Sequence, residues 1–270
     1  MQRKYLTMLL LASLVLLVLA GCQAVQAPTA KSDAIYQVSL LDALLQGDYD
    51  GTVPIAELLK NGDTGLGTFD NLDGEMIVLD GVVYRAKSDG SVEVAAKEEL
   101  VPFAVVGYFD KEIAGGAVED ISDVEALKAA LDKTISETTG DFNQYYIATI
   151  AGDFDLAHVR SVPRQEEPFK PLAEVTKEQT EFEYTEIPGT LVGLRFPEHM
   201  EGINLPGWHF HFLSDDKTKG GHVLDLKLAS GEMNLDHIRE FNLIQPDTDA
   251  FANLDLGGDM SQATGAAESK

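Results

Sequence analysis

Cysteine is almost missing from this chain. Cys22 is the only one in 270 residues, so no intramolecular disulfide can form, the folded part offers no thiolate to a metal, and stability has to come from a buried core. Positive charge is scarce as well, with 20 Lys and Arg against 45 Asp and Glu and a net charge of −25. That balance argues against nucleic acid as a partner. It also repels an anionic small substrate at long range, so such a substrate would need a local positive group. No apolar run reaches the roughly 20 residues that cross a bilayer; the run Leu6–Ala20 is too short.

That run suits a leader. Arg3 and Lys4 precede it and Leu19-Ala20-Gly21-Cys22 closes it, which is the order of a signal peptide over 1–21. The closing residues resemble the lipobox of bacterial lipoproteins, in which the cysteine takes a diacylglyceryl group and becomes the first mature residue. The expectation is a secreted protein held on the extracytoplasmic side of a membrane by a lipid on Cys22. Residues 22–35, rich in Gln, Ala, Pro, Thr, Lys and Ser, read as a flexible tether. Removal of 1–21 takes the net charge from −25 to −27.

The remaining length is enough for one large domain or two small packed ones. Val38 to Leu45 has helical apolar spacing, and Pro54 before Ile55, Leu58 and Leu59 suits a short helix. The period then changes to that of strands at Met76–Leu79, Val82–Tyr84 and Val92–Val94, with hairpin turns at Asp80-Gly81 and Asp89-Gly90. Val101 to Phe109 reads as a buried strand, and Ser122-x-x-Glu125 as a capping box that opens a helix to about Ile135. Strands follow at Tyr145–Ala151, Ala157–Val162, Glu181–Ile187 and Thr190–Phe196, with Pro188-Gly189 turning between the last two. Asn204–Leu213, Gly221–Leu228 and Glu232–Leu243 continue the pattern. The fold class predicted is α+β, with mixed or antiparallel sheets and few helices.

Chemistry concentrates in Gly207-Trp-His209-Phe-His211-Phe and Gly221-His222. Residues two apart in a strand share a face, so His209 and His211 lie side by side while Phe210 and Phe212 turn to the opposite layer. The polar segment Ser214–Gly221 is a hairpin loop that would return His222 on the neighbouring strand to the same spot. Half of the six histidines thus fall within 14 residues, at a spacing able to hold one metal ion with positions left open. Zinc suits such imidazoles, and Mn, Fe, Co or Ni could also occupy them. His158, His199 and His237 are isolated; His158 precedes Arg160 by two on the same strand face.

Three motifs together resemble the alpha-acetolactate decarboxylases: Gly65-Leu-Gly-Thr68-Phe-Asp-Asn-Leu-Asp-Gly74-Glu75-Met, Gln144-Tyr-Tyr-Ile with Val159-Arg160-Ser-Val-Pro163, and the histidine hairpin. The likeness runs from about residue 36 to 256. It implies zinc held by His209, His211 and His222, with Glu75 and Arg160 facing it and no organic cofactor. It also implies a homodimer of two-domain subunits, here an N-terminal mixed-sheet domain over 36–165, a C-terminal metal-binding β domain over 166–256 and an acidic tail over 257–270. A tail glutamate reaches the metal in that family; by spacing Glu268 is the candidate, with Asp255 and Asp259 in the same tail. The implied substrate, 2-acetolactate, is a β-keto acid whose loss of carbon dioxide places negative charge on the ketone oxygen, a load suited to a Lewis acid. Arg160 would attract the substrate carboxylate, Glu75 would either handle a proton near the tertiary hydroxyl or make an outer contact to the zinc, and Thr68 would hydrogen-bond the substrate or a ligand. Two other classes stay open on the residues alone: a cupin-like metal-dependent dioxygenase or isomerase, and a non-catalytic lipoprotein that binds metal or solute.

Overall fold

A computed structural model describes residues 33–268, with side chains through Ala267. The leader, most of the tether including Cys22, and the side chain of Glu268 lie outside the described residues. β1 (Ala34–Val38) leads to a short helix α1 (Leu41–Leu45), so the stretch that reads as helical is a strand and a helix joined at Ser39, whose φ is 63°. β2 (Val53–Pro54) and α2 (Ile55–Leu58) follow, with Pro54 as the helix N-cap. Then come β3 (Thr64–Thr68), β4 (Glu75–Leu79), β5 (Val82–Ala86), β6 (Val92–Val94), β7 (Leu100–Val101) and β8 (Ala104–Gly107). Asp80 and Gly81 both take positive φ, at 53° and 75°, which gives the tight two-residue turn between β4 and β5 its twist.

β9 (Ile113–Ile121) precedes α3 (Val124–Thr138). The cap of α3 is Asp123, whose carboxylate accepts from Ala126 N at 2.8 Å, rather than Ser122, which donates to Asp123. Val124, Leu127, Leu131 and Ile135 form its buried stripe against Tyr146, Phe154 and Trp208. β10 (Tyr145–Ser161), α4 (Leu172–Val175) and β11 (Thr180–Phe196) follow, and then β12 (Gly207–Ser214), β13 (Gly220–Ile238) and β14 (Glu240–Ile244). α5 (Asp249–Ala252) and α6 (Ser261–Glu268) end the described chain.

The architecture is α+β and mostly antiparallel. One sheet has the order β14-β1-β8-β3-β4-β5-β6, in which only β1 and β14 run parallel. The other has the order β10-β11-β12-β13-β9 and closes on itself, because β13 also pairs with β10. β9 and β10 come from before residue 165 and join the second sheet, whereas β14 returns from the C-terminal half to the first. The 165/166 division therefore does not separate the two sheets.

Three expected breaks are continuous strand. β10 runs through Gly152-Asp153, β13 through Ser230-Gly231, and β11 through Pro188-Gly189, where no turn forms. Gly189 serves a close approach instead: a Cβ there would stand 2.5 Å from the Phe212 ring. The sheets meet through Ile77, Ala86, Val192 and Leu213. Ser161 Oγ adds a bond across the junction to the Ala86 carbonyl at 2.9 Å.

Candidate active site

A cavity opens where β3 and β4 of the first sheet face β10, β12 and β13 of the second. Thr68, Glu75, Arg160, His209, His211 and His222 all line it, so the residues singled out from sequence converge, apart from Glu268, whose side chain is not described. Strand register explains the second-sheet half. His222 on β13 stands directly across from His211 on β12 and from Arg160 on β10, which sets a cationic group and two imidazoles in one row. His209 joins them from two residues before His211.

The ligand nitrogens of the three histidines lie within 4.8 Å of one another. His211 is held from β4: its Nδ1 is 2.7 Å from the Met76 carbonyl, leaving Nε2 pointed into the site. That Nε2 is buried without a hydrogen-bond partner and lies 3.6 Å from Glu75 Oε2. His209 Nε2 is 2.9 Å from His222 Nδ1. Burial pushes the His209 imidazole down to about 3, with Arg160 and Lys128 adding to the effect. The His211 and His222 imidazoles are likewise held well below their ordinary range, by burial first and then by His209 and Arg160 respectively. All three are neutral near pH 7, the form that binds metals, and the buried His211 Nε2, which has no hydrogen-bond partner, suits a divalent ion.

Glu75 begins β4 directly after Gly74, whose φ is 94°. Thr68, opposite Glu75 on β3, donates from Oγ1 to the Gly74 carbonyl at 2.8 Å and so braces this turn from inside the cavity. Arg85 holds the preceding Asp73 at 3.4 Å and lies 4.1 Å over the Phe69 ring. Arg160 is buried, with Nη1 donating to Gln179 Oε1 at 3.0 Å and to the Ala267 carbonyl at 2.5 Å. The segment that reads as an acidic tail is thus partly a docked helix, with Ala267 fully buried beside the guanidinium.

His158 pairs with Glu181 at 2.8 Å and does not line the cavity, and neither do His199 and His237. Residues that sequence reasoning passed over complete the walls: Asn204, Thr176 and an apolar set that includes Leu66, Phe103 and Leu205. Asn204 carried no signal, since its position depends on a buried bond from its amide to Gln37 Oε1 at 2.6 Å, between residues far apart in the chain.

A protein-family model described as alpha-acetolactate decarboxylase matches residues 35–258. The chain belongs to the alpha-acetolactate decarboxylase family. An alpha-acetolactate decarboxylase of Methanosarcina mazei is 40% identical over 231 residues, which span 86% of this chain and 78% of that protein. One from Methylococcus capsulatus is 40% identical over 234 residues, 87% of this chain and 88% of that protein. The crystal structure of alpha-acetolactate decarboxylase from Bacillus subtilis superposes with a TM-score of 0.84 at 32% identity, covering 88% of this chain and all of that one. Family membership removes the grounds for a cupin-like reading, and the carboxylate at the histidines comes from β4 rather than from the hairpin.

Proposed function

We propose that this chain converts 2-acetolactate to acetoin and carbon dioxide in the cavity between its sheets, with zinc held by His209, His211 and His222. The observation that carries the reading is the convergence of three neutral imidazoles, one guanidinium and one carboxylate on a single enclosed space in a chain of this family. A bound divalent ion would supply Lewis-acid stabilisation of the charge that develops on the ketone oxygen. Arg160 binds the substrate carboxylate and offsets the repulsion from a chain of net charge −25. As the carbon–carbon bond breaks, its electron pair moves toward the ketone and carbon dioxide leaves. One proton added at the carbon that lost it then gives acetoin. With a pKa above about 12, Arg160 is too weak an acid to release that proton readily, so its role is to orient. Glu75 Oε2, at the open side of His211, takes and returns the proton of the tertiary hydroxyl. Leu66, Phe103 and Leu205 keep bulk water from the reacting carbon.

The test is acetoin formation from racemic 2-acetolactate by the purified protein, read by a colour reaction with and without a chelator. Acetoin should accumulate, vanish after chelation and return on addition of zinc; metal-loaded protein that makes none would falsify the assignment.

The leader supports a second part of the reading. Cys22 carries a lipid that anchors the secreted protein, since a basic start, an apolar run and Leu19-Ala20-Gly21 precede it. Cys22→Ser should abolish metabolic fatty-acid labelling and release the protein from the membrane fraction. Unchanged labelling would rule the anchor out, because no other cysteine exists to carry it.

A further inference from the structure

Two spaces meet beside the histidines. The inner one is the cavity between the sheets, about 50 Å³, with Thr68, Glu75, Arg160 and His211 buried in its wall. At roughly 10–15 Å³ for each water, that is room for about four of them, and a molecule of the size of 2-acetolactate leaves no slack in it. The outer space is a groove of about 560 Å³ along the start of α3 and the strands β12 and β13, edged by the exposed Glu125 and the half-buried Lys128. Among the described residues, three line both spaces: Leu205, His209 and His222. Leu205 also lines the hollow that continues the groove past Trp208 toward Arg195. The partition is therefore two imidazoles, which belong to the metal-binding group, and one aliphatic side chain, which does not.

The backbone under Leu205 is held in place. Its N–H donates to Asn204 Oδ1 at 2.7 Å, the Asn204 amide donates to Gln37 Oε1 at 2.6 Å, and Gln37 Nε2 donates back to the Ile203 carbonyl at 2.7 Å. Gln37 and Asn204 are both buried. The Leu205 side chain itself is half-buried and packs against the apolar cluster that contains Leu66 and Phe103. A substitution at 205 thus changes the bulk of the partition and leaves these side-chain hydrogen bonds in place.

We propose that Leu205 is a specificity-determining residue, whose bulk limits the size of the alkyl groups that a substrate can carry into the cavity. The carboxylate and the oxygens of the substrate are taken up by the polar side of the site, so its alkyl groups fall to the apolar walls. Leu66 and Phe103 belong to the packed core and have nothing to yield to. Leu205 is backed by the groove, so shortening it joins the two spaces and gives extra carbon somewhere to go. The proposal rests on the cavity being the place where 2-acetolactate reacts.

The experiment uses full-length, metal-loaded protein and two homologues of 2-acetolactate, one longer by a single carbon at C2 and one at the ketone end. In Leu205→Ala the kcat/KM of at least one homologue should rise about tenfold relative to 2-acetolactate, the scale of one methylene in an apolar pocket. Leu205→Phe should move the same ratio the other way. A second readout needs no turnover: the Kd values of the unreactive analogues in which the ketone is reduced to an alcohol, measured by calorimetry, should shift in the same sense. Should Leu205→Ala fail to fold, Leu205→Val makes a smaller step in the same direction. Ratios unchanged for both homologues in the folded variant overturn the proposal, as does a kinetic change that the Kd values do not share. Wild-type protein that binds the analogues but makes no acetoin sinks the decarboxylase reading alone, and the Kd ratio then decides the role of Leu205. Wild-type protein that does neither sinks both.

Discussion

His211→Ala should abolish the zinc binding proposed for this site and lower acetoin formation by roughly a hundredfold or more, the loss that follows removal of a major electrostatic stabiliser. The orientation of this ring is fixed from outside the group. Its Nδ1 faces the Met76 carbonyl at 2.7 Å, and Nε2 is thereby committed to the cavity. A neutral ring of this kind has no use for its buried second nitrogen other than an acceptor role toward a cation or a proton, and burial keeps the proton off. Elemental analysis should find about one zinc per wild-type subunit, a stoichiometry set by three converging imidazoles. The variant should hold far less, while His199→Ala, at an exposed position outside the cavity, should retain the metal. Metal content unchanged in His211→Ala, or in the triple alanine variant of all three histidines, would show that zinc sits elsewhere.

The histidine hairpin was legible because it obeys local rules. Period-two spacing puts His209 and His211 on one face, a polar loop returns the chain, and the register then sets His222 opposite His211. The short hairpin of β4 and β5 was legible for the same reason, its Asp80-Gly81 turn being demanded by backbone conformation alone. Where distant segments compete with local preference, the sequence misleads. Pro188-Gly189 is a strong turn signal, yet β10 on one side and β12 on the other hold the strand straight through it. β9 went unseen because Gly115-Gly116 lowers its strand propensity, and its pairing with β13 supplies what the residues themselves do not. The tail shows the same limit at the site. Ala263 and Ala267 are too small to register as an apolar stripe, although they pack against the core cluster that contains Leu44 and Leu172. The meeting of Glu75 with the histidines was accessible only through family likeness, since no local rule says that β4 faces β12.

Arg160→Ala and Glu75→Gln should each cost turnover while leaving the metal in place. Neither side chain belongs to the histidine hairpin, whose strands β12 and β13 carry all three imidazoles. For Arg160→Ala the expected loss is on the order of a hundredfold in kcat/KM, about 3 kcal/mol, as for truncation of one partner of a buried charge pair. Part of any stability change will reflect the Gln179 oxygen and the Ala267 carbonyl, which lose their donor. Thermal melting therefore has to accompany the kinetics. Arg160→Lys is the sharper comparison, because it keeps the charge but loses the planar fork that lets one side chain face Gln179, Ala267 and a substrate carboxylate together. It should recover some substrate binding and little of the orientation, so that KM improves more than kcat relative to Arg160→Ala. Glu75→Gln keeps the shape beside His211 and removes the capacity to take a proton; a general acid–base group is worth about 10²–10⁴ in rate, which should appear in kcat. If both Arg160→Ala and Glu75→Gln make acetoin at near wild-type rates while folded and zinc-loaded, the chemistry occurs on another face of the metal, and the cavity between the sheets is not where 2-acetolactate reacts.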